Sequence, residues 1–151
     1  MGHRGQTFSV AQGVILEARV KLAVLPSAAE VVAAWGLHGT WADGGSAYRV
    51  GFNATGSGLI YVEDDDDATP SGLISTGVTA TAAQWKIYLI DCTVQTDIKF
   101  YIDGVGVATG TTFSNAAADP SVQPHFGMYK ASGAGVGTMY VDYVKIWQNR
   151  S

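Results

Sequence analysis

The sequence predicts an all-β fold in which two antiparallel sheets pack face to face as a sandwich or jelly roll. Three observations carry this. Apolar and polar residues alternate with period 2 in one short run after another. Turn-forming residues separate those runs at close intervals. No segment sustains the 3.6-residue period of an amphipathic helix.

The elements follow in chain order. Residues 14–24 put Leu16, Ala18, Val20 and Leu22 on one face and Glu17, Arg19 and Lys21 on the other, the pattern of a half-buried strand. Further strands are predicted over 30–37, 47–53, 58–63, 72–78, 85–94, 97–103, 124–130 and 137–148. The stretch 28–34 is rich in Ala, but Val31 and Val32 favour a strand over a helical turn. Asp103-Gly104 between two apolar runs predicts a tight hairpin. In the closing strand Tyr140, Asp142, Val144 and Ile146 alternate with Met139, Val141, Tyr143, Lys145 and Trp147. The chain holds 19 glycines, which supply the positive φ that so many tight turns need.

The chain of 151 residues is one domain's worth, read here as an N-terminal arm over 1–12 and a sandwich over 13–149. Charged residues make up 15% against roughly 25% in ordinary soluble domains, and 47% are apolar, which together exclude disorder. The net charge is -4, and nine scattered cations cannot track a phosphate backbone, so nucleic acid is not expected as a partner. No apolar run reaches the roughly 18 residues that a membrane-spanning helix needs, and no membrane partner is expected. No signal peptide is visible at the N-terminus. The single cysteine, Cys92, lies on a predicted strand and reads as a buried, inert thiol.

Three segments in order carry a family likeness. They are the strand opened by Trp85, the strand-turn-strand from Asp97 to Ala108, and the closing strand from Gly137 to Trp147. Together they resemble the concanavalin A-like lectin/glucanase superfamily in its laminin-G-like branch. The resemblance covers about Val14 to Gln148 and implies one concave and one convex antiparallel sheet. Glucanase members carry a Glu-x-Asp-x-x-Glu motif or similar on a central strand, where the paired carboxylates do the chemistry. Glu17, Glu30 and Glu63 are the three glutamates here, and none begins such a motif. The resemblance therefore implies the fold without the hydrolase, and no enzymatic activity is expected.

Two places could bind a ligand. The acidic residues Asp64, Asp65, Asp66 and Asp67 are read as a loop, solvated or holding Ca²⁺, a hard cation that takes six to eight oxygens. The aromatic residues Trp35, Trp41, Tyr48 and Tyr61 gather in the first half of the chain, and exposed rings of this kind offer flat platforms to sugars. Trp41, in a Gly-rich loop, is the strongest platform candidate, whereas Trp85 and Trp147 read as packed against a sheet. His38 and His125 lack partners at metal-ligand spacing, so zinc is not expected.

Small, Gly-rich, unsecreted jelly rolls lacking catalytic carboxylates are similar to capsid decoration or cement proteins of tailed bacteriophages. That likeness implies a non-enzymatic virion protein, made in the host cytoplasm. It would bind the major capsid protein or another virion protein as a homo-oligomer, commonly a trimer, and touch surface glycans. The alternative is a carbohydrate-binding, lectin-like module using Trp41, Tyr48 and the acidic segment.

Overall fold

A computed structural model of the chain describes residues 8–28, 30–40, 46–56, 58–116 and 121–149. Among these, eleven strands form two antiparallel sheets. In chain order they are β1 (Phe8–Ser9), β2 (Ile15–Val24), β3 (Val31–His38), β4 (Tyr48–Ala54), β5 (Leu59–Asp66), β6 (Ile74–Thr79), β7 (Trp85–Asp91), β8 (Lys99–Ile102), β9 (Val105–Val107), β10 (Ser121–Lys130) and β11 (Thr138–Trp147). One sheet runs β1-β10-β3-β4-β5-β6 and the other β11-β2-β7-β8-β9. The predicted sandwich is what the chain adopts.

The period-2 pattern explains the core. Leu16, Ala18, Val20 and Leu22 of β2 are buried, as are Val31, Ala33, Trp35 and Leu37 of β3 and Val50, Phe52 and Ala54 of β4. Rings join the two sheets across the middle. Trp35 lies 5.9 Å from Phe52, Tyr88 meets Trp35 edge-on at 4.8 Å, and Phe52, Phe100 and Phe113 continue the series at 5.4 and 4.9 Å. Edge-to-face pairs of this kind add to plain area burial. Cys92 is fully buried among these groups, and burial pushes its thiol pKa up, as the inert reading expects. The Asp103-Gly104 turn has positive φ at both residues and joins β8 to β9, as predicted.

Three expectations change. Residues 8–12 of the predicted arm belong to the sandwich, because Phe8 and Ser9 pair with Val122 and Ser121 and Val10 is fully buried. Residues 1–7 lie outside the described part. The acidic segment is not a loop until Asp67: Glu63, Asp64, Asp65 and Asp66 continue β5, each paired with a residue of β4. The strand persists because its carboxylates find donors, with Asp66 Oδ1 accepting the Ala68 and Thr69 N–H groups and Asp64 Oδ2 that of Ser114. In β11 the register shifts between Val141 and Tyr143, so Asp142 is the extra residue of a bulge. Tyr140 therefore shares the outer face with Tyr143, Lys145 and Trp147.

Candidate functional site

The outer face of the six-stranded sheet is unusual in what it hides. Residues opposite one another in an antiparallel sheet share a face, so the pairing dictates which side chains meet here. One row reads Gln123, His38, Arg49, Asp65; the next reads His125, Gly36, Gly51, Glu63; a third reads Gly127, Ala34, Asn53, Tyr61. The second and third rows place Gly36, Gly51, Gly127 and Ala34 at the centre. A Cβ on Gly36 would sit on the Val50 carbonyl oxygen and 2.6 Å from the Gly51 Cα. The close approach of the strands thus requires glycine at Gly36, and the His125 ring lies over Gly127, with polar groups around them.

Those polar groups are withdrawn from solvent. His38 is 3% exposed, His125 and Asn53 6%, and Glu63 and Asp65 9% each. Buried polar groups need partners, and most have them. Arg49 Nη2 donates to Glu63 Oε2 at 3.0 Å and Nη1 to Asp65 Oδ2 at 3.0 Å, while Nε lies 2.9 Å from Glu63 Oε1. Nη1 also donates to the Ser46 carbonyl oxygen at 2.5 Å. Asn53 Nδ2 donates to Glu63 Oε1 at 2.7 Å. Burial alone would lower the Arg49 pKa, but the hydrogen bonds and charges of Glu63 and Asp65 outweigh it and hold it above its ordinary value.

The His38 and His125 rings stack at 4.1 Å, only 11° from parallel. Burial, then the adjacent His125 and Arg49, push the His38 pKa down to about 3. His38 is therefore a neutral imidazole at physiological pH. Its buried Nδ1 has no hydrogen-bond partner among the described residues.

The residues singled out from sequence divide sharply. Tyr61 is on this face, half-buried beside Asn53. Trp35 and Tyr48 are not platforms, because both point into the core at 0% and 6% exposure. Trp41 lies outside the described residues. Strand alternation splits the acidic residues: Asp65 joins Glu63 on the outer face while Asp64 and Asp66 turn inward and Asp67 begins the turn. No cluster of three or more His, Cys, Asp or Glu suited to a metal exists among the described residues, so the carboxylates do not converge as the calcium reading requires.

Sequence reasoning missed His38, His125, Arg49, Asn53 and Glu63 as a group. Their signal was parity: each stands on the polar side of its alternating strand. What brings them together is the pairing of β3 with β10, which lie far apart in the chain.

The outer face of the five-stranded sheet is built differently. It has a hollow of about 350 Å³ between Glu17, Ile87, Leu89, Asp91, Tyr101 and Gly104. Three of its rings lie beneath cations, with Lys21 over Trp85 at 4.6 Å and over Tyr140 at 5.2 Å, and Lys145 over Tyr143 at 4.6 Å.

No protein-family model and no curated protein matches the chain. Solved structures do. An alginate lyase of polysaccharide lyase family 7, AlgAT5, matches over 99% of this chain at 15% identity with a TM-score of 0.67. The alginate lyase from Corynebacterium sp. matches over 98% at 16% identity, TM-score 0.66. The Trypanosoma rangeli sialidase matches over 92% at 14% identity, TM-score 0.65, within 21% of its own length. The chain spans 65% and 64% of the lengths of the two lyases. At these identities the likeness establishes the fold. It also overturns two expectations, the virion decoration protein and the absence of enzymatic activity, because these similar structures are carbohydrate-active enzymes. The carbohydrate alternative is the better supported of the two functions.

Proposed function

We propose that the chain is a glycan-recognising domain that binds its ligand across the outer face of the six-stranded sheet. The observation that carries this is the run of polar side chains that β10, β3, β4 and β5 bring together around Gly36 and Gly51, where His38 keeps an unpartnered buried nitrogen. Sugars present many hydroxyl groups at fixed angles, and rigid strands hold His38, Asn53, Glu63 and Asp65 at fixed angles to meet them. Tyr61, on the rim, supplies apolar contact to a pyranose face. The fold relatives, enzymes that act on glycans, support the same direction.

The test is a glycan array probed with the wild-type chain and with Tyr61→Ala, each checked by thermal unfolding. Binding by the wild type and its loss in the folded variant support the reading. A folded wild type that retains nothing on the array, or a variant with an unchanged profile, overturns it. Chromatography of the retained oligosaccharides after incubation reads turnover in the same samples, and shortened products would add cleavage to recognition. His38 holds its proton-accepting form at neutral pH, but so low a pKa makes it a feeble base, so recognition is the primary reading.

A further inference from the structure

We infer that the glycan accepted by this face is uncharged, and that Glu63 and Asp65 exclude polyuronates. This rests on the glycan-binding reading above and specifies its ligand. An arginine in a sugar site is the ordinary receptor for a carboxylate, because its fork matches two oxygens at once. Arg49 is not free for that work. Its Nε and Nη2 face the two oxygens of Glu63, and Nη1 serves Asp65 and the Ser46 carbonyl. Three of the five guanidinium N–H groups are thus hydrogen-bonded inside the protein, and Nε is buried against Glu63 Oε1 at 2.9 Å without a hydrogen bond.

Charge points the same way. Two carboxylates surround one guanidinium, leaving the trio at -1, and Arg49 is the cation on this face among the described residues. Of the remaining cations of the described strands, Arg19, Lys21, Lys86, Lys99 and Lys145 belong to the other sheet, and Lys130, at the end of β10, pairs with the inward-facing Val31 and so has the opposite parity to this face. A uronate entering here would meet an occupied fork and an excess negative charge, in a recess where water screens poorly. A neutral sugar meets the reverse. Its hydroxyls can donate, and the face offers acceptors: the remaining lone pairs of Glu63 and Asp65 and the Asn53 side-chain carbonyl oxygen.

The experiment compares neutral gluco-, manno-, galacto- and xylo-oligosaccharides with oligoalginate and oligogalacturonate, by titration calorimetry in low salt. About pH 8 is used, above the ordinary imidazole range. Glu63→Gln and, as a second variant should the first fail to fold, Asp65→Asn are measured alongside. The wild type is expected to bind a neutral series at least about tenfold more tightly than either oligouronate. Each folded variant is expected to gain about tenfold for oligouronates, a gain that shrinks as salt is added. Oligouronates binding the wild type as tightly as the neutral sugars, or variants without that gain, overturn the inference and leave glycan recognition standing. If no sugar of either set binds wild type or variant, the glycan-binding reading itself falls.

Discussion

Acid is expected to unfold this protein through one imidazole. His38 has a folded pKa of about 3 against an ordinary 6.5. The depressed value means that the unfolded chain takes up a proton which the folded chain refuses. The stability tied to this group is therefore complete above 6.5 and is lost as pH falls from 6.5 toward 3. Each pH unit in that window removes about 1.4 kcal/mol, so about 3 kcal/mol is gone by about pH 4.5. That is a large share of the roughly 5–15 kcal/mol typical of a domain. Burial at 3% exposure means that solvent screening does not discount the figure much. Urea unfolding of the wild type and of His38→Gln at about pH 7, 5.5 and 4.5 isolates the effect, since the variant cannot titrate there and all other groups remain. The difference between the two should change by about 3 kcal/mol across the series, in the variant's favour at low pH. Parallel pH profiles for the two proteins would refute the reasoning.

Three further perturbations follow from the same face and its surroundings. Gly36→Ala drives a methyl group into the Gly51 backbone, and a loss of about 1–3 kcal/mol in urea unfolding is expected; unchanged stability would mean that the strands separate freely. Arg49→Met strips two recessed carboxylates of their shared cation, with an expected loss of about 3 kcal/mol, whereas a loss below about 1 kcal/mol would class the trio with surface pairs. Burial raises the Asp64 pKa above its ordinary 3.8, so ionisation erodes stability as pH climbs from 3.8 through the folded value. Asp64→Asn escapes this and should gain on the wild type over that window and hold the gain to neutral pH; a difference flat with pH would contradict it.

The fold was legible because it is written locally. Leu16, Ala18, Val20 and Leu22 declare the buried side of β2 without reference to any other strand, and Asp103-Gly104 declares its own turn. Errors arose where distant contacts decide. The acidic residues of β5 look like a loop because charges avoid strands, yet Arg49 from β4 and the N–H groups of Ala68, Thr69 and Ser114 satisfy them. Trp35 looked like a sugar platform because ring types do not announce which face they take, and its parity with Ala33 and Leu37 places it inside. The site was the least legible part. His38 and His125 meet only because β10 pairs with β3 across more than half the chain, a register that neither strand's own pattern specifies.

The central claim concerns which surface holds the sugar. Amide and side-chain chemical shifts of the isotope-labelled chain, followed while an array-identified oligosaccharide is titrated in, test it most directly. The account predicts that the moving signals are those of Gly36, His38, Arg49, Gly51, Asn53 and Tyr61. Shifts confined to Trp85, Tyr140, Tyr143 and Trp147 on the five-stranded sheet would contradict it.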